Sequence, residues 1–142
     1  MKTVIKSTIS VVLAVVFIIC LASCNKVEDK EIWDDAVYYQ DTELGGGSKT
    51  ITVEVKAEDK SITFTLHTDC TTVCEALMEH NLVSGDEGPY GLYIKVVNGM
   101  LADYDINKSY WLFYIDGEYA MSSVDATQIT EGTKYKLEYV KE

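Results

Sequence analysis

Cys24 constrains this chain before any periodicity is considered, because it marks where the folding part begins. It closes the run Leu21-Ala22-Ser23-Cys24 behind an apolar stretch from Val11 to Cys20, which Lys2 and Lys6 introduce. A positive start, a short apolar run and small residues before a cysteine make a bacterial lipoprotein signal peptide. A spanning helix needs about 20 apolar residues, and this run is well short of that. Residues 1–23 are therefore expected to be removed as the signal peptide, leaving lipid on the Cys24 thiol. The mature chain is expected outside the cytoplasm, anchored to the cell membrane by its N-terminal lipid.

Removing residues 1–23 takes two lysines and no acids, which leaves ten lysines against 23 acids, a formal charge of −13. The chain has no arginine. Nucleic-acid binding rests on basic residues that release counterions from phosphate, so no nucleic-acid partner is expected. A polybasic hold on anionic lipid is absent for the same reason, and the lipid itself is the expected anchor.

With Cys20 in the signal and Cys24 lipidated, Cys70 and Cys74 remain. Their spacing is not the C-x-x-C of a thioredoxin-like enzyme. It is also not half of a zinc site, because no second Cys or His pair follows. In an exported protein the two can close a disulfide across a first helical turn. They serve equally well as two small apolar residues at a helix start, and both readings stay open.

Residues 24–48 read as the lipidated N-terminus and a flexible tether, polar in composition and ending in Gly45-Gly46-Gly47-Ser48. Ile32, Trp33, Val37, Tyr38 and Tyr39 within it offer a contact to the domain or to a partner. Residues 49–142 number 94, enough for one small domain. Ile51, Val53 and Val55 alternate with polar residues, as do Ile62, Phe64 and Leu66 beyond a turn at Glu58-Asp59-Lys60, which predicts a hairpin. Thr72-Val73-Cys74-Glu75 has capping-box form and predicts a helix from about Val73 to His80, ending near Asn81. After a Gly/Pro loop from Ser84 to Gly91, Leu92–Val97 reads as a strand running into the Asn98-Gly99 turn. Ser109–Ile115, Glu118–Met121 and Thr133–Val140 read as further strands. The expected fold is α+β: a β-grasp-like domain with one helix packed on a mixed or antiparallel sheet of about five to six strands.

No catalytic constellation is legible, and no enzyme is expected. His67 and His80 read as isolated surface histidines without a nucleophile or carboxylate at a catalytic spacing. Asp103-Tyr104-Asp105-Ile106-Asn107 imitates the opening of a calcium loop. Lys108 stands where such a loop needs glycine and Tyr114 where it needs a bidentate glutamate, so no metal site is expected. The aromatic run Tyr110-Trp111-Leu112-Phe113-Tyr114 is more informative. A strand sends Trp111, Phe113 and Ile115 to one face and Tyr110, Leu112 and Tyr114 to the other. Both faces are apolar, so one aromatic row is expected on a surface or in a cleft, where it suits a flat apolar ligand or a protein partner.

The segments Tyr90-Gly91-Leu92-Tyr93-Ile94-Lys95-Val96-Val97-Asn98-Gly99 and Tyr110-Trp111-Leu112-Phe113-Tyr114-Ile115-Asp116-Gly117-Glu118-Tyr119-Ala120 resemble the transcobalamin-like C-terminal domain family. The resemblance covers about residues 50–140. Members occur in bacterial cell-surface lipoproteins and as the small domain of transcobalamin and intrinsic factor, where it closes over one face of the corrin ring. The resemblance implies ligand contacts at Trp111, Phe113, Tyr119, Ala120 and Met121, and a cobalamin or other corrinoid as the bound ligand. It does not extend to the large helical domain that holds the other face of the ring. The expected function is therefore a membrane-anchored, cell-surface lipoprotein that binds a small ligand. The alternative is a protein–protein interaction or envelope-assembly module that meets another extracytoplasmic protein through the same aromatic surface.

Overall fold

The computed structural model describes residues 30–142, so the signal peptide and Cys24 lie outside the described residues. Within them the fold begins earlier than the sequence suggests. Ile32–Asp35 forms one 3-10 turn, and its Trp33 is 5% exposed. The indole Nε1 donates to the Ala57 carbonyl at 2.9 Å, which removes the cost of burying a polar N–H while its rings join the core. Tyr38 packs edge-on to Phe64 with ring centroids 5.4 Å apart. Strand β1 (Thr42–Gly45) then runs parallel to β3 (Lys60–Thr68), with Leu44 opposite Leu66. Residues 31–48 are thus part of the domain rather than a flexible tether. The physical reason is the apolar anchors, since one buried tryptophan outweighs the polar composition around it. The Gly-Gly-Gly-Ser stretch is a short, pinned connection. Gly47 N–H donates to His67 O, and Ser48 donates to Asp69 through both its N–H and its hydroxyl.

β2 (Lys49–Ala57) pairs antiparallel with β3, matching Ile51 with Leu66, Val53 with Phe64 and Val55 with Ile62. These side chains are at most 6% exposed, while their polar alternates face out. Helix α1 (Val73–Glu79) follows, with its capping box formed: Glu75 N–H donates to Thr72 Oγ1, and Thr72 N–H donates to the Glu75 carboxylate. Val73, Cys74, Ala76 and Leu77 line its buried face. Asn81 adopts φ 54°, and Leu82 N–H closes the helix end on Leu77 O.

The chain continues through β4 (Val83–Gly88), β5 (Gly91–Val97) and β6 (Met100–Leu101), which form a separate three-stranded sheet. β7 (Ser109–Ile115), β8 (Glu118–Tyr119) and β9 (Lys134–Lys141) complete a six-stranded sheet in the order β1-β3-β2-β9-β7-β8. β2 and β9 are parallel neighbours at its centre. The described residues are mostly sheet, with one helix longer than a single turn; the expected mixed sheet of six strands forms, and a small three-stranded sheet is added to it. Ser84-Gly85-Asp86-Glu87-Gly88 has little strand propensity, which predicts a loop where β4 forms. Its backbone pairing with β5 and the Lys95–Asp86 ion pair at 2.7 Å hold it instead.

Candidate functional site

The two faces of β7 have different neighbours. Trp111, Phe113 and Ile115 pack against the core. Trp111 Nε1 donates to Lys95 O at 3.3 Å, its ring meets Tyr139 edge-on at 5.6 Å, and Phe113 stacks on Tyr135 at 5.9 Å. Tyr110, Leu112 and Tyr114 occupy the other face. There Tyr114 meets Tyr119 edge-on at 6.0 Å and receives Lys136 Nζ over its ring at 4.1 Å. Lys136 also pairs with Glu138 at 2.8 Å, and Glu138 pairs with Lys56 at 2.9 Å. An open cleft of about 730 Å³ on this side is bordered by Tyr135 and by the charged residues Glu54, Asp116, Lys134 and Lys136. Of the five contacts implied by resemblance, Trp111 and Phe113 are therefore half-buried packing residues. Tyr119 ends β8, and Ala120 and Met121 follow it on the loop beyond.

That loop combines an exposed tip with a fixed base. Tyr119 is 59% exposed and Met121 95% exposed, yet Val124 three residues later is buried. Ala120 N–H donates to Phe113 O at 2.9 Å. The first amides of a helix have no partner within it, and here they hold the loop: Val73 N–H donates to Thr127 O, and Cys74 N–H to Val124 O. The Thr127 hydroxyl donates to Ser123 O at 2.8 Å. On the opposite side the Asp125 carboxylate accepts the Leu92 N–H. The positive backbone angle at position 91 favours glycine, and a side chain there would also crowd this contact. A Cβ there would lie 2.4 Å from Asp125 Oδ2 and 2.8 Å from Ser123 Oγ, and φ is +102°. Tyr90, immediately before this contact, is 91% exposed. Tyr90 and Asp125 extend the site beyond the expected residues. Tyr90 lay within the resemblance, but nothing marked it as exposed, and Asp125 has no local signal because its partner is 33 residues away.

Cys70 and Cys74 are free thiols. Cys70 precedes the Thr72 cap instead of sharing the first helical turn with Cys74, and in this structure each sulfur has another neighbour. Cys74 Sγ faces Met78 Sδ at 3.6 Å, and Cys70 Sγ faces the Glu79 carboxylate at 3.6 Å. Burial, and then the Asp125 carboxylate beside it, push the Cys74 thiol up to about 12, so it stays protonated. His67 Nε2 lies 2.5 Å from Glu43 and Nδ1 lies 2.9 Å from Thr50 Oγ1, which occupies both ring nitrogens. His80, read as a surface residue, has a side chain only 17% exposed. Asp103 caps the single helical turn Tyr104–Asn107 and pairs with Lys95 at 3.1 Å, so the calcium-like stretch uses its carboxylate internally. Among the described residues no group of three His, Cys, Asp or Glu stands ready-made to hold a metal ion.

These features define a small, mostly-β domain with an anchored loop whose apolar tip faces solvent. The chain belongs to the DUF4430 family, a domain of unknown function, which matches residues 71–141, half of its length. It is similar to a protein from Ruminococcus gnavus ATCC 29149 proposed to bind metal, with 33% identity and a TM-score of 0.63. The match covers 67% of this chain and 99% of that one. It also resembles haptocorrin, crystallised in complex with Cbi, at 13% identity and a TM-score of 0.56, over 69% of this chain and 26% of haptocorrin. The chain thus has a transcobalamin-like fold and spans about a quarter of haptocorrin's length. No curated protein matches it.

Proposed function

We propose that this chain is a non-enzymatic lipoprotein, anchored outside the cytoplasm through Cys24, whose domain binds a small ligand of the corrinoid class over the Tyr119-Ala120-Met121 loop. The observation that carries the reading is the pairing of a fixed base with an exposed apolar tip. A free methionine tip at 95% exposure has no packing role, while its loop is tied to α1 and β5 by three backbone or carboxylate hydrogen bonds and braced internally by the Thr127 hydroxyl. Pre-ordering of that kind lowers the entropy lost on binding. The order β3-β2-β9-β7, with β2 and β9 parallel at the centre, supports the β-grasp-like reading. The haptocorrin likeness supports the choice of ligand class.

The near-complete exposure of both Tyr90 and Met121 favours a second reading, in which the tip meets another extracytoplasmic domain. Calorimetric titration of the full chain in detergent with cyanocobalamin and cobinamide separates the two. Micromolar or tighter binding is expected. No heat at millimolar ligand would leave the interaction module as the better account.

A further inference from the structure

The three-stranded sheet has an open outer edge. Its order is β4-β5-β6, so among the described residues β4 has a partner strand on one side only. Every residue of β4 after Val83 is exposed. The direction of its backbone groups follows from β5. In an antiparallel pair, opposed residues alternate between exchanging hydrogen bonds and pointing their N–H and C=O away from each other. Leu92 N–H donates to Asp125, so it points away from β4. Glu87, opposite Leu92, therefore aims its own N–H and C=O outward. The register is unbroken from Gly85 to Gly88, which gives Gly85 the same direction. Such unpaired groups are a template for another strand, and proteins commonly block them with lysine, proline or a bulge. β4 contains neither lysine nor proline, and its one irregularity lies before this stretch, between Ser84 and Gly85.

The side chains along this edge define the strand it would accept. Lys95 pairs with Asp86 at 2.7 Å and with Asp103 at 3.1 Å, and Glu87 adds a third acid at the edge. One ammonium against three carboxylates leaves net negative charge there, and the Asp86 side chain is 68% exposed. Tyr93 stands opposite Asp86 at 48% exposure, and Tyr90 follows the strand at 91%, so aromatic surface adjoins the charge. We infer that β4 binds an extended, lysine- or arginine-bearing segment of another protein, which adds a strand to the small sheet. Backbone bonds to Gly85 and Glu87 supply affinity, and the acids select cationic side chains. A second copy of this chain is the poorer occupant, because β4 laid against β4 brings like charges together at Asp86 and Glu87. The surface is independent of the ligand reading, since it uses neither Met121 nor a corrinoid.

The test uses the full chain in detergent and a short synthetic peptide that alternates lysine with valine, beside the same peptide with glutamate for lysine. The lysine peptide should bind, should slow hydrogen exchange at the Gly85 and Glu87 amides, and should bind less tightly as salt rises. The glutamate peptide should not bind. Glu87→Gln keeps the outward amide and removes one charge, while Glu87→Pro removes both. The proline variant should bind the lysine peptide about tenfold more weakly than the glutamine variant. Its melting temperature should match, because an outward amide has no ladder bond to lose. The exchange measurement on the wild type stands even if the proline variant is destabilised. The inference fails if the lysine peptide binds without slowing exchange at these two amides, if the glutamate peptide binds as tightly, or if neither binds below millimolar concentration. A dimer of the peptide-free chain in sedimentation, lost in Glu87→Pro, would assign the edge to a second copy and equally overturn it.

Discussion

The Asp125 carboxylate accepts the Leu92 backbone N–H, and this one bond ties the loop carrying Met121 to the start of β5. Asp125→Ala would strand the amide of Leu92, a residue 8% exposed. The expected loss is about 1–3 kcal/mol, read from denaturant unfolding. Asp125→Asn retains an acceptor oxygen and should recover most of it. Equal losses in both variants would show that the carboxylate does not anchor the loop through this bond.

Trp33 tests whether the N-terminal arm belongs to the domain. Trp33→Ala removes a buried ring and its bond to Ala57 O, and should cost about 3–5 kcal/mol. A mobile tether would give no change in the unfolding midpoint.

Asn98 has two separable roles. Its backbone sits at φ 51° in the β5–β6 turn, and its side-chain amide accepts from Tyr38 N–H at 2.9 Å and donates to Tyr38 O at 2.8 Å. Asn98→Gly keeps the left-handed backbone accessible but loses both bonds. Asn98→Ala loses both bonds and also strains the turn by about 1 kcal/mol. Both variants should be destabilised, with alanine the worse in thermal melts. Equal stability of the two would mean that the turn conformation contributes nothing.

Acid and alkali should act through different groups. The Lys95 ammonium beside Asp103, and Lys136 and then Lys56 beside Glu138, hold these carboxyls below their ordinary values of 3.8 and 4.5. Their stabilisation is complete above that range and is lost as pH falls through the lowered values. Hydrogen bonds to Asp86 and then Asp103 hold Lys95 above its ordinary 10.5, so its contribution is complete below that value and is lost as pH rises through the raised one. Melting temperature against pH should therefore fall below about pH 4, and Lys95→Met should flatten that fall. An unchanged acid limb in the variant would contradict the assignment.

Much of the fold was legible locally. The β2–β3 alternation, the Thr72 cap with Glu75, and the Asn98-Gly99 and Asp116-Gly117 turns all carry signals within a few residues, and all four form. What escaped depends on long-range partners. Residues 32–45 enter the fold because Trp33 meets Ala57 and Leu44 lies beside Leu66, which polar composition concealed. β4 forms on backbone pairing, against the propensity of its side chains. At the site, periodicity divided the β7 side chains between two faces correctly. It could not say which face was core, and that assignment removes Trp111 and Phe113 from the exposed surface and leaves Tyr119 and Met121 on it.

The most direct test is the affinity of cobinamide for the full chain in detergent, measured side by side for wild type, Met121→Ala and Trp111→Ala. Wild type should bind at micromolar concentration or tighter. Met121→Ala should lose most of that binding with an unchanged melting temperature. Trp111→Ala should lower the melting temperature, because about 2 kcal/mol of ring packing is removed. Wild-type binding that survives Met121→Ala unchanged, or no wild-type binding at all, would contradict the loop as the ligand site.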